Sequence, residues 1–200
     1  MLKRIFDFIL ALIGLVVLFP LLLICALAIK LTSPGPIFYR GLRIGLHGKP
    51  FHVFKFRSMI VNAEKLGGVT TSADDTRVTK VGMFLRKYKL DELPQLINVL
   101  VGDMSFVGPR PEVASEVDQY DVNARRLLTV RPGITDYSSI KFRNEGEIVS
   151  GYSDPHKAYK ELIQPEKIRL GLYYVNTHNF WVDIKLILKT VAVIIFKNRQ

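Results

Sequence analysis

The sequence predicts a helix-rich α+β fold. It has an N-terminal re-entrant membrane helix, a small β-hairpin, and interfacial amphipathic helices around a cytoplasmic core. Three observations predict this. Residues 5 to 31 are almost wholly apolar, and a spanning helix needs only roughly 20 such residues. Residues 34 to 58 alternate short aromatic runs around a glycine cluster, as a hairpin does. Apolar residues recur at helical spacing at Leu93, Leu96, Ile97 and Leu100, and again at Trp181, Ile184, Leu188, Val191 and Ile195. Two units follow: a membrane-embedded segment over residues 1–33, and a cytoplasmic domain over residues 34–200.

The apolar segment is interrupted by Asp7, Gly14, Pro20 and Lys30. It is too long for a signal peptide, and Lys30-Leu31-Thr32-Ser33-Pro34 is not a small-residue cleavage site. Pro20 removes a backbone hydrogen bond near its middle. Asp7 would be a costly charge in hydrocarbon. Lys3 and Arg4 precede the segment, while Lys30, Arg40 and Arg43 follow it, so basic flanks give no direction of crossing. A helix broken at Pro20 that enters and leaves on one face satisfies all three features. A single span kinked at Pro20 is the alternative, because proline is tolerated in spanning helices.

The chain of 200 residues is long enough for one domain with a real core. Its formal net charge of +10 favours anionic partners: nucleic acid, phosphorylated small molecules or an acidic lipid surface. A single cysteine, Cys25, excludes an intrachain disulfide and a cysteine-based zinc site. His47, His52, His156 and His178 have no metal-ligand spacing.

In the hairpin, residues 36–40 form the first strand, 45–49 the turn and 51–57 the return. Strand alternation puts Lys55 and Arg57 on one face, where two cations suit a phosphate or simply solvate a sheet edge. Residues 62 to 80 are a polar loop in which Asp74 and Asp75 either bind metal or face solvent. Val81 to Tyr88 forms a short basic helix leading into Lys89-Leu90-Asp91-Glu92-Leu93-Pro94-Gln95-Leu96.

This last stretch carries the chemistry. Pro94 suits the first turn of a helix, which makes Asp91 the N-cap and puts Gly102 just past the end. A carboxylate at that position stays ionised. Asp91 and Glu92 together suit a divalent cation, or a nucleophile with a metal helper; plain capping is the bland alternative. Downstream, Pro109 and Pro111 fix the backbone on both sides of Arg110. A guanidinium held in this way suits bidentate phosphate recognition, or merely marks a rigid turn. Glu116 to Leu128 forms a polar amphipathic helix, 165–176 another, and 181–197 a third. The third helix, with Trp181 at its start and Lys185, Lys189 and Lys197 among its apolar residues, suits a membrane interface.

The ordered motifs closely resemble those of the bacterial sugar transferases known as monotopic phosphoglycosyl transferases. They are Lys3-Arg4-Ile5-Phe6-Asp7, Lys55-Phe56-Arg57-Ser58-Met59, Leu90-Asp91-Glu92-Leu93-Pro94-Gln95, Gly102 to Pro111, and Arg131-Pro132-Gly133-Ile134-Thr135. The resemblance runs almost end to end. It implies transfer of a phosphosugar from a nucleotide diphosphate sugar, usually a UDP-sugar, to polyprenyl phosphate. The products are polyprenyl diphosphate sugar and UMP, and the reaction begins surface glycoconjugate assembly at the cytoplasmic face of the bacterial inner membrane. By the same resemblance Asp91 is the nucleophile that forms an acyl-phosphate, and Glu92 helps it bind Mg²⁺. Arg110 holds a phosphate, and Pro20 is the break of the re-entrant helix. Beside the Lys55 and Arg57 pair, Arg131 and Arg143 are further candidate phosphate or nucleotide contacts, with plain surface charge as the alternative. Membrane lipids are implied partners, downstream glycosyltransferases are candidates, and nucleic acid is not a partner. Asp136, Ser139, Lys141 and Phe142 depart from the commoner family pattern, so the resemblance does not specify the sugar or the nucleotide. A membrane-anchored basic binding module and a scaffold subunit are the readings from other classes. The binding module does not account for Asp91-Glu92 beside a proline-clamped arginine.

Overall fold

The computed structural model describes residues 2–66 and 70–196. Lys197, which the sequence puts on the last helix, lies outside the described residues, as do residues 67–69 of the polar loop. Helix α1 (Leu2–Thr32) has the length and composition to cross a membrane. Pro20 lies inside it and does not break it, contrary to the expected interruption. The proline forfeits one hydrogen bond, but the turns on either side of it are held against the rest of the protein. Before it, Ala11 is buried with Phe51, Val53, Val99 and Met104. After it, Cys25 and Ile29 are buried with Phe56 and Leu85.

Both ends of α1 are tied down as well. Lys3 Nζ bonds Asp183 at 2.6 Å, and Arg4 donates to the carbonyl of Leu100 at 2.7 Å. The buried Asp7 carboxylate accepts from the Phe106 N–H at 3.3 Å. At the far end the Arg57 guanidinium grips Ser33 through its carbonyl at 2.9 Å and its hydroxyl at 2.6 Å. The opposite face of the helix presents Ile5, Ile9, Leu12, Val16, Leu23, Leu27 and Leu31, all exposed.

The hairpin pairs β1 (Phe38–Ile44) with β2 (Pro50–Phe56) antiparallel, with Phe38 opposite Phe56 and Ile44 opposite Pro50. Its turn holds His47 and Gly48 at φ +56 and +76, and the glycine takes that left-handed backbone without strain. Phe51 and Val53 point from β2 into the core. Helix α2 (Lys80–Lys87) follows the polar loop and is capped by the Thr79 hydroxyl, which accepts from Gly82 N–H at 2.9 Å. Helix α3 (Gln95–Val101) ends as predicted at Gly102, whose φ of +99 is the left-handed C-cap that glycine favours.

A second, parallel pair joins β3 (Ser105–Val107) to β4 (Gly133–Thr135). The chains meet so closely that a Cβ at Gly108 would stand 2.2 Å from the Arg131 carbonyl oxygen. The long helix expected over Glu116 to Leu128 is absent. Helix α4 covers only Ala114–Val117, and a 3-10 segment runs over Ala124–Thr129. Asp121 accepts from the Ala124 N–H at 2.7 Å. Such a local side-chain bond starts a new turn and stops the first helix from propagating.

Helices α5 (Tyr137–Lys141) and α6 (Glu145–Ile148) are short. Helix α7 (Pro155–Leu162) has no counterpart in the sequence analysis, although Asp154-Pro155 is a helix-start signal: the Asp154 side chain accepts from His156 and Lys157 N–H at 3.0 Å. Helices α8 (Gln164–Thr177) and α9 (Phe180–Phe196) stand where expected. The buried Tyr174 on α8 donates to Val107 O at 3.0 Å and to Asp183 at 2.7 Å, which joins α8, α9 and β3.

Candidate active site

Asp91 lies in a 3-10 turn, Leu90–Glu92, entered through Lys89 at a left-handed φ of 57. It is not the N-cap of α3. The first amides of that helix are already satisfied, with Leu96 N–H on Leu93 O at 3.1 Å and Ile97 N–H on Pro94 O at 3.0 Å. This frees the carboxylate. Asp91 is 7% exposed, and its Oδ1 is buried without a hydrogen-bond partner. Burial, and then the neighbouring charge of Glu92, push its carboxyl up, against the pull of Lys55, Arg86 and Lys89. The expected ease of ionisation at a helix N-terminus is therefore overturned, because the group is buried and makes no cap bond.

Glu92 has the opposite environment. Its Oε1 accepts from Lys55 Nζ at 2.8 Å and from Arg110 Nη2, and its Oε2 accepts from Arg110 Nη1 at 3.1 Å. Burial alone would raise the Glu92 carboxyl, but Arg110 and Lys55 outweigh it and hold it well below the usual carboxylate range. In return the charge of Glu92 raises the Arg110 guanidinium, whereas burial lowers the Lys55 ammonium. Two carboxylates next to each other in sequence thus have pKa values driven apart. This is a common signature of groups with separate chemical roles.

The scaffold explains the arrangement. The Asn98 side chain is fully buried and clamps α3 to β2, accepting from Phe54 N–H and donating to His52 O, both at 2.8 Å. Lys55, next in β2, is thereby set against Glu92. Arg110 emerges from β3 through Pro109. The strand's last carbonyl, Val107 O, is held by Lys3 at 3.2 Å and by Tyr174 at 3.0 Å.

The remaining predicted contacts are bonded to other groups. Arg57 follows the end of β2 and turns to Ser33 and Pro34, so it forms no pair with Lys55. Arg131 donates to Gly102 O at 2.9 Å, past the C-terminal end of α3. Arg143 donates to Val193 O on α9 at 2.6 Å. Asp75 is held by Arg77 at 2.6 Å and Asp74 by Ser150 at 3.2 Å. Among the described residues no group of three or more His, Cys, Asp or Glu is gathered to hold a metal. Asp136, at a position where the family pattern has glycine, caps α5 by accepting from Ser139 N–H at 2.7 Å.

Sequence reasoning missed Arg86, whose Nε donates to Ser58 at 2.8 Å and whose charge acts on Asp91. It also missed Asn98 and Gln95. Both are buried, and the Gln95 Nε2 has no partner. The signal was present: polar residues at 91, 95 and 98 share one helical face inside an otherwise apolar run.

A family model described as bacterial sugar transferase matches residues 1–197. The chain belongs to that family. It is 40% identical over 199 residues to the UDP-glucose:undecaprenyl-phosphate glucose-1-phosphate transferase of Escherichia coli, covering 96% of this chain and 39% of that protein. It is 37% identical over 196 residues to the UDP-N-acetylgalactosamine-undecaprenyl-phosphate N-acetylgalactosaminephosphotransferase of Aeromonas hydrophila, covering 96% of this chain and 43% of that protein. An uncharacterized sugar transferase of Bacillus subtilis, EpsL, is 35% identical over 190 residues, 95% of this chain and 85% of its own length. The chain therefore spans about two fifths of the first two relatives and most of the third. Within this bacterial sugar transferase, the structure gathers Asp91, Glu92, Lys55 and Arg110 at one site.

Proposed function

We propose that this protein transfers a phosphosugar from a nucleotide diphosphate sugar, a UDP-sugar by its relatives, to polyprenyl phosphate. The observation that carries this is the bare, buried Oδ1 of Asp91 beside a carboxylate that holds two cations. The Asp91 carboxylate attacks the phosphorus that bears the sugar. The P–O bond to the nucleotide breaks, and UMP leaves with that electron pair. An oxygen of polyprenyl phosphate then attacks the same phosphorus and displaces Asp91, giving polyprenyl diphosphate sugar. Phosphoryl transfer needs charge neutralisation and alignment more than strong acids or bases. Lys55 and Arg110 supply charge, with Arg110 in a two-pronged geometry suited to phosphate. A nucleophile that holds the phosphosugar lets the soluble donor leave before the lipid acceptor reacts.

The donor set fits a divalent cation that comes with the diphosphate. Asp91 offers a buried unpartnered oxygen, and Glu92 beside it is a second carboxylate whose oxygens Lys55 and Arg110 now hold. Mg²⁺ commonly takes one or two carboxylates and fills its shell with substrate phosphates and water. When bound, Mg²⁺ supplies positive charge to the diphosphate.

The membrane arrangement belongs to the same reading. A straight helix of 31 residues is about 46 Å long, and the hydrocarbon core is about 30 Å thick. Yet Lys3 and Ser33, at its two ends, bind the same body. This supports α1 lying against one face of the membrane without crossing it, with its exposed apolar stripe in lipid. On α2, Met83 and Phe84 are also exposed, as is Tyr88 just past its end, and on α9 so are Trp181, Leu188 and Val191. Together they support a broad interfacial surface. The reading puts the site at the cytoplasmic face of the bacterial inner membrane, where its product would pass to downstream glycosyltransferases.

Detergent-purified protein given a panel of UDP-sugars, Mg²⁺ and polyprenyl phosphate should release UMP with one of them. Mass spectrometry of the intact protein should trap a phosphosugar on Asp91. No release from any donor, with Asp91→Asn changing nothing, would sink the enzyme reading. Cysteines introduced at Leu2 and Gly45 should label from the same side of the membrane, and labelling from opposite sides would remove the one-face arrangement of α1.

A further inference from the structure

We infer that Glu92 occupies the anion seat formed by Lys55 and Arg110, and that phosphate binding displaces it and so creates a divalent-cation site with Asp91. The inference rests on the proposed reaction and adds a regulation of its site: metal and nucleotide bind with positive coupling.

The geometry is that of an internal stand-in. Arg110 grips Glu92 with two prongs, Nη1 to Oε2 at 3.1 Å and Nη2 to Oε1, and Lys55 adds a third bond to Oε1 at 2.8 Å. The same fork and ammonium would take a phosphate. The two cations come from separate elements, β2 and the turn after β3, and they repel each other, so an anion must stand between them. In this state both Glu92 oxygens are engaged. Asp91 alone offers a free oxygen, and the cations neutralise the charge that would attract a metal.

A phosphate carries more negative charge than one carboxylate, and it competes for the same three donors. Once it takes them, Glu92 is left without its counter-charges, next to Asp91 in a buried site. Two such carboxylates repel strongly unless a cation joins them. Anion and divalent cation therefore assist each other, and by linkage the assistance is equal in both directions.

The test measures equilibrium binding rather than turnover. Mn²⁺ binding to the wild-type protein is followed by electron paramagnetic resonance, with and without saturating UMP. Complexation of Mn²⁺ by UMP alone is measured without protein and subtracted. UMP should tighten Mn²⁺ by about 10-fold, and Mn²⁺ should tighten UMP by the same factor. Without metal, Glu92→Gln should bind UMP about 10-fold more tightly than wild type, because a neutral amide no longer neutralises the two cations and yields the seat readily, and the coupling should disappear. Asp91→Asn removes the same charge without vacating the seat, so its gain in UMP affinity should be clearly smaller. Equal Mn²⁺ affinity with and without UMP overturns the inference, as does a Glu92→Gln gain no larger than that of Asp91→Asn. If UMP is still released from a UDP-sugar through Asp91 while the coupling is absent, only this inference falls. If neither UMP binding nor UMP release occurs, the proposed function falls with it.

Discussion

Asp91→Asn should abolish phosphosugar transfer and also stabilise the protein. Asp91 Oδ1 is buried with no partner. An unsatisfied buried polar atom costs about 1–3 kcal/mol, more when charged. The amide keeps the shape, loses the charge and escapes the repulsion of Glu92. It also forgoes the pull of Lys55, Arg86 and Lys89 on a carboxylate. The direction of the Asp91 shift says that burial and repulsion win, so a net gain of about 1 kcal/mol is expected, or about 2–4 °C in Tm for a protein of this size. The sign with pH follows from linkage. The folded carboxyl sits above its unfolded value, so the folded state binds the proton more tightly. Wild-type stability falls as pH rises from the unfolded value, about 3.9, through the folded one. The advantage of asparagine is complete above the folded value and shrinks as the pH drops toward about 4. Thermal unfolding of both proteins in one detergent, from pH 8 down to pH 4.5, measures this. An asparagine variant less stable than wild type at pH 8 would refute the reasoning, and so would a gap that widens on acidification.

Three further changes probe the scaffold and the charge pattern. Glu92→Gln should move the acid limb of single-turnover UMP release to lower pH, because the charge of Glu92 raises the Asp91 carboxyl and its loss also frees Lys55 and Arg110; a limb that moves up contradicts the coupling. Asn98→Leu should cost about 1–3 kcal/mol in urea unfolding, since it strips partners from the part-buried Phe54 N–H and His52 carbonyl. It should also lower activity by loosening Lys55 against Glu92. Gly108→Ala should cost about 2 kcal/mol or more, since its Cβ would stand 2.2 Å from a backbone oxygen; an unchanged Tm would mean that the strands around it yield easily.

Features encoded locally were readable from the chain. The hairpin, α2, α8 and α9 carry their own periodicity, and Gly102 announces the end of α3. The pair β3 and β4 was hidden because three residues are too few to show alternation, and Gly108 and Gly133 read as loop glycines until their backbones meet. Helix α4 stops early because of the Asp121 side chain, a bond that apolar periodicity does not register. In each case the deciding contact is either non-local or made by a polar side chain with its own backbone.

The site shows the same division more sharply. Lys55 and Arg57 are chemically alike and two residues apart on a strand, so alternation gave them one role. The structure separates them at the end of β2. Lys55 faces the half-buried Glu92, and Arg57 turns back to hold the end of α1 at Ser33. Asp91 and Glu92 reverse the case: adjacent carboxylates that sequence treats as a pair are driven apart in pKa by what surrounds them. One is left bare and the other saturated with cations. Composition marks a site as charged, but only the fold assigns each charge its counter-charge. In Asp91 it is the missing partner, not the helix terminus it was expected to cap, that sets its carboxylate apart from Glu92.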